Sequence, residues 1–68
     1  MDYKKLEELT KGKTLPITAE NDDKERIIIE KCNNGDLNYY QLSTFQNNDW
    51  IRINRYYEDG SYDETYEK

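Results

Sequence analysis

Histidine is missing from this sequence, and cysteine, tryptophan, phenylalanine, methionine and proline occur once each. Without histidine, the usual neutral-pH acid-base group and the commonest metal ligand are gone. Cys32 has no partner for an intramolecular disulfide, and four-ligand zinc spacing is absent. A disulfide framework and a structural zinc are thereby both excluded. Gly12 lies between Lys11 and Lys13, but the flanking pattern of a phosphate loop is not there. No apolar run approaches membrane-spanning length, and the first nine residues hold no apolar signal core. The expectation is a cytoplasmic chain in a reducing setting, with no metal, no cofactor and no catalytic residue.

What is present is tyrosine and negative charge. Only 34% of the 68 residues are hydrophobic, so seven Tyr, one Trp and one Phe must carry much of the core. Aromatic rings cover a pleated surface well and tyrosine keeps its hydroxyl at the wet edge, which favours a sheet. A chain of this size has a thin stability margin, and homo-oligomerisation would supplement it. The net charge of −5 is unevenly placed: residues 57–68 carry −4 of it through Glu58, Asp59, Asp63, Glu64 and Glu67 against Lys68. This acidic edge repels phosphate backbones and argues against direct nucleic-acid binding. It also blocks edge-to-edge aggregation of a small sheet.

Residues 1–11 read as a short helix. Asp2 is an acceptable N-cap, Leu6 and Leu9 share a face one turn beyond Tyr3, and Gly12 can stop the helix. Two turns are not stable alone in water, so the helix requires Leu6 and Leu9 to dock on a sheet.

Residues 14–67 read as a β-meander. Thr14 to Glu20 alternates, with Pro16 marking an edge strand, and Asn21-Asp22-Asp23-Lys24 is a turn. The acids there lack the frame of a calcium loop. Glu25 to Cys32, with three consecutive isoleucines, reads as a central strand. Asn34-Gly35 as a two-residue turn pairs Cys32 with Leu37 and Ile29 with Tyr40. A three-residue loop Asn47-Asn48-Asp49 then sets Gln46 opposite Trp50 and Phe45 opposite Ile51. Asp59-Gly60 as a two-residue turn sets Tyr57 opposite Tyr62, Arg55 opposite Glu64 and Ile53 opposite Tyr66. The fold class is α+β: one domain, a short N-terminal helix and a five-stranded antiparallel meander, curled toward a half-barrel.

Under this register one face collects Leu15, Ile17, Ala19, Ile28, Cys32, Leu37, Tyr39, Phe45, Ile51, Ile53, Tyr57, Tyr62 and Tyr66, the expected core beneath the helix. The other collects Ile27, Ile29, Tyr40, Leu42, Trp50 and Tyr56 with Arg52, Asn54 and Thr44, and is expected to stay uncovered. A two- or four-residue loop at Asn47 would instead put Phe45 and Trp50 on one face.

The chemistry available is meagre. Adjacent carboxylates such as Asp63 and Glu64 point apart and make no glycosidase pair. Cys32 beside a turn reads as a small buried hydrophobe. The aromatic rings suggest a single-strand platform, but few cations could line it. An open apolar face rich in Trp, Tyr and Arg marks a protein-binding site, which points to a non-enzymatic binding module or a homodimer acting through Trp50, Tyr40, Tyr56, Leu42 and Arg52.

The helix with an acidic, tyrosine-rich meander is similar in kind to small phage or mobile-element proteins that inhibit host enzymes, some of which imitate DNA with carboxylates. No motif is shared and no residue role carries over. The resemblance implies an alternative in which Glu58, Asp59, Asp63, Glu64 and Glu67 occupy a basic, nucleic-acid-binding groove.

Overall fold

A computed structural model describes residues 1–67 of the chain. Helix α1 (Tyr3–Thr10) precedes strands β1 (Ile17–Glu20), β2 (Arg26–Asn33), β3 (Asn38–Gln46), β4 (Asp49–Tyr57) and β5 (Tyr62–Tyr66). The strands form one antiparallel sheet in the order in which they occur, and the sheet does not close. No helix among the described residues is long and apolar enough to cross a membrane.

The helix begins where the sequence places it. The backbone of Asp2 is extended and its Oδ1 accepts from the Lys5 N–H at 2.9 Å, satisfying one of the unpaired amides of the first turn. Its docked stripe is Tyr3, Leu6 and Thr10, spaced for one helix face. Leu6 has no exposure, whereas Leu9 is 54% exposed, so the expected Leu6/Leu9 anchor is corrected to Leu6/Thr10. Thr10 can be buried because its hydroxyl donates to the Leu6 carbonyl at 2.8 Å. The same oxygen lies 3.4 Å from the Tyr40 hydroxyl, which can donate to it in turn.

Every reversal lies where turn chemistry put it, but none has the expected length. The first loop runs Asn21–Glu25: the Asn21 side-chain oxygen accepts from the amides of Asp23 and Glu25, and the strands resume with Glu20 opposite Arg26. The second holds Asn34 through Leu37, with Asn34 Oδ1 accepting from Asp36 and Leu37, so Cys32 faces Tyr39 and Ile29 faces Leu42. In the third, Asn47 and Asn48 adopt positive φ of 53° and 71°, as a type I′ turn requires. Gln46 then faces Asp49 and Phe45 faces Trp50. A bulge follows directly, leaving Ile51 as the extra residue and restoring Thr44 opposite Arg52 and Leu42 opposite Asn54. The fourth is a three-residue loop, Glu58-Asp59-Gly60: Gly60 N–H donates to the Tyr57 carbonyl, Tyr57 N–H to the Ser61 carbonyl, and Gly60 sits at φ 92°. Glycine is the residue that tolerates this position.

Three of these lengths differ from expectation by one residue; the bulge offsets the third, and the first and fourth reverse the two outer strands. Side chains alternate with a period of two, so a one-residue slip turns a strand over. Ile17 and Ala19 on β1, and Tyr62, Glu64 and Tyr66 on β5, therefore lie on the face of Tyr40, Leu42 and Asn54. The pairings expected at the last hairpin are corrected accordingly: Arg55 faces Asp63, Tyr56 faces Tyr62, and Arg52 faces Tyr66. With those additions the Tyr40 face becomes the more apolar one, and α1 packs on it. The expectation that this face is uncovered, and that the helix roofs the opposite one, is thus reversed.

The core is small. Leu6 and Tyr40 are its buried apolar residues, joined by buried Thr10, Thr44 and Asn54, while Ser43 is buried on the opposite face. Tyr3 and Tyr40 rings meet at 5.0 Å between centroids. The Lys31 ammonium lies 5.7 Å from the Tyr40 ring on its other side. Burial against the sheet raises the Tyr3 hydroxyl pKa above its ordinary value. At the far end of this face, Asn54 Nδ2 donates to the Tyr62 hydroxyl (2.8 Å) and to Glu64 Oε1 (2.9 Å), so the half-buried amide is satisfied.

Candidate functional site

Nothing among the described residues covers the face opposite α1. Strand pairing orders its side chains into rows across the sheet. One row holds Glu20, Arg26, Phe45 and Trp50; the next holds Thr18, Ile28, Ser43, Ile53 and Thr65; the next Glu30, Gln41, Arg55 and Asp63; the last Cys32, Tyr39 and Tyr57. Contacts agree with these rows. The Arg26 guanidinium carbon stands 5.4 Å from the Phe45 ring centroid. Tyr39 and Tyr57 rings lie 5.0 Å apart. Ser43, the smallest side chain in the middle, is 7% exposed between larger neighbours.

The polar row is rigid. Arg55 Nε donates to Gln41 Oε1 at 3.0 Å, and its Nη1 pairs with Asp63 Oδ1 at 3.2 Å. Gln41 Nε2 passes the chain on to Ser43 Oγ at 3.4 Å. The Tyr57 hydroxyl donates to Asp63 Oδ2 at 2.9 Å, and that bond raises its pKa. Glu30 stands at the start of this row with no hydrogen bond or ion pair among the described residues, and Arg55 stands one strand beyond Gln41.

The expected partner-binding residues do not converge. Trp50 is half-buried on the open face beside Phe45. Tyr40 is 2% exposed beneath the helix and cannot meet a partner. Leu42, Arg52 and Tyr56 are half-buried on the helix side, where Tyr56 meets Tyr62 at 5.0 Å and has its pKa raised by burial. The residues that sequence reasoning left out of the open surface are Phe45, Ile28, Ile53, Glu30, Gln41 and Arg55. The signal for Phe45 with Trp50 was the pair of consecutive asparagines, which favours the two-residue loop.

The acidic edge does not form one plate either. Glu58 accepts from the Asn38 amide at the start of β3 at 2.8 Å, and Asp59 accepts within its own turn from the Ser61 amide (2.9 Å) and hydroxyl (2.6 Å). The Ser61 hydroxyl bond holds the Asp59 carboxyl below its usual range. Asp63 points to the open face and Glu64 to the helix face. Glu64 is held below the usual range first by the Tyr66 hydroxyl, then by Asn54 and Tyr62. Glu67 is exposed, and its amide donates to the Ile51 carbonyl at 3.3 Å.

A cleft of about 350 Å³ under the C-terminal end of α1 sets Lys11, Lys13 and Lys31 against Glu7 and Glu8. Its charges nearly cancel. No group of three or more Cys, Asp and Glu among the described residues could hold a metal ion. The open sheet face is the extended surface that the single helix leaves uncovered among the described residues. No family model, no curated protein and no solved structure matches this chain.

Proposed function

We propose that this chain is a small non-enzymatic protein-binding module that recognises its partner with the sheet face opposite α1. The observation that carries this reading is the one-sided roof. A single eight-residue helix covers one face, while Ile28, Ile53, Phe45, Trp50, Tyr39 and Tyr57 stand on the other with no cover from the described chain. Half-buried apolar side chains gathered on one uncovered face of a small domain mark an interaction site. Aromatic residues with an arginine among them are the types that dominate binding energy. The lone, half-buried Cys32 suits a reducing cytoplasm.

The acidic-groove reading draws less support. Its carboxylates divide between two faces and the turn, and four of the five hold intramolecular partners.

The test places a charge at the centre of this face. Ile53→Glu should abolish capture of a protein partner, whether a second copy or another chain, while far-ultraviolet circular dichroism stays sheet-like. The same substitution at Leu9, exposed on the helix, should leave capture intact. Equal capture by wild type and Ile53→Glu would remove this face from the function.

A further inference from the structure

Resting on that binding-module reading, we infer that the partner is a second copy of this chain, packed sheet on sheet about a two-fold axis that runs along β3. The argument is a self-complementarity in the open face. Such an axis leaves each row in place but exchanges β2 with β4, so each β2 residue meets its β4 row-mate of the other copy. Row by row these are Arg26 with Trp50, Ile28 with Ile53, Glu30 with Arg55, and Cys32 with Tyr57. Every exchange joins compatible chemistry: a cation on an indole face, aliphatic on aliphatic, carboxylate on guanidinium, thiol on ring.

The residues on the axis itself are also suited to meeting their own copies. Ser43 is small enough to let the sheets approach at the usual spacing of about 10 Å. Gln41 carries both a donor and an acceptor, so it can bond its symmetry mate. Phe45 and Tyr39 can stack with theirs. An isologous contact demands that one surface be its own complement. A face with unlike charges placed at random on β2 and β4 would bring like charges together under the same operation, and these two strands do not. Glu30, which has no partner within the described residues, acquires one only in the pair, and Arg55 is already held in position for it by Gln41 and Asp63.

The area is sufficient but modest. Five strands at about 4.8 Å span about 24 Å, and rows repeating every second residue extend about 20 Å along them. Each copy thus contributes on the order of 500 Å², or roughly 1,000 Å² in total, which lies at the low end for specific association. The dimer should accordingly form in the micromolar to hundred-micromolar range.

The experiment is sedimentation velocity across that concentration range at low salt. Wild type should shift from monomer to dimer. Glu30→Arg sets two cations against each other twice per dimer and should weaken association at least tenfold; Arg55→Glu does the same with anions. An equimolar mixture of the two variants has opposite charges at both contacts and should recover dimer that neither forms alone. A second measurement covers any loss of fold in Arg55→Glu. In a Cys32→Ser background, a short bis-maleimide should cross-link Gln41→Cys, which lies on the axis, and not Glu7→Cys on the helix.

Wild type that stays monomeric at the highest concentration, or Glu30→Arg that dimerises as well as wild type, would overturn the second copy as partner. If that happens while Ile53→Glu still abolishes capture of a different protein, the binding-module reading stands and only the inference falls. If neither association is seen, both fall.

Discussion

Replacing Leu6 by alanine tests which face of the sheet is the core. Leu6 is fully buried and is the principal aliphatic contact between α1 and the sheet. Leu→Ala at such sites costs about 2–5 kcal/mol, from lost transfer energy and the cavity left behind. A helix of eight residues on an open sheet can settle partly into the space, so the lower part of that range, about 2–3 kcal/mol, is expected. For a 68-residue domain the total stability is about 3–10 kcal/mol, so this one change removes about a fifth or more. With a urea slope of about 1 kcal/mol/M, the midpoint should fall by about 2–3 M. The melting temperature should drop by about 10–20 °C.

The assay is urea unfolding at low micromolar concentration, where self-association does not add stability, followed by circular dichroism and Trp50 fluorescence together. Trp50 lies on the face away from α1, so coincident curves would show that helix and sheet unfold as one unit. Leu9→Ala serves as the control: at 54% exposure it should cost no more than about 0.5 kcal/mol. Equal effects of the two substitutions, or a loss below about 1 kcal/mol for Leu6→Ala, would refute the placement of the helix on the Tyr40 face.

Gly60→Ala should destabilise by about 1 kcal/mol or more through backbone strain alone, since a Cβ would meet no atom within 4 Å but φ is 92°; an unchanged melting temperature would contradict the three-residue turn. Asp63→Asn should cost less than about 1 kcal/mol despite breaking the ion pair with Arg55, because both side chains are substantially exposed and screened; a larger loss by urea titration would show a more demanding role. Tyr3, Tyr56, Tyr57 and Tyr66 all have raised pKa values. Their unfolded forms ionise first, so stability is fully present below the ordinary value near 10 and falls as pH rises through the folded values. Absorbance at 295 nm should therefore show the native chain titrating later than the urea-unfolded chain, and superimposed curves would refute it. Asp59 and Glu64 have the opposite sign: their folded values are lowered, so their contribution is present above the ordinary carboxylate value and is lost as pH falls toward the folded ones. Glu64→Gln should flatten that acid-side decline in melting temperature, and a slope identical to wild type would count against it.

Local chemistry alone determined the elements of this protein. Asp2 starts the helix, β-branched and aromatic alternation makes strands, and Asn21, Asn34, Asn47-Asn48 and Gly60 mark every reversal, so strand order follows directly. Loop length was not legible in the same way. Asp59-Gly60 supports a two-residue turn and the three-residue loop that forms, and these alternatives differ locally by little. Their consequence is not local, because an odd change in length turns the whole following strand over. That is why Arg55 meets Asp63 rather than Glu64, and why Tyr62 and Tyr66 join Tyr40. The choice between near-equal turns falls to tertiary burial: the registers that form gather Ile17, Ile29, Leu42, Tyr56 and Tyr62 around Tyr40, and Leu6 docks where the apolar area is largest. Which face was left open was thus decided by the sum of burial over five strands, a quantity that no single stretch of sequence contains.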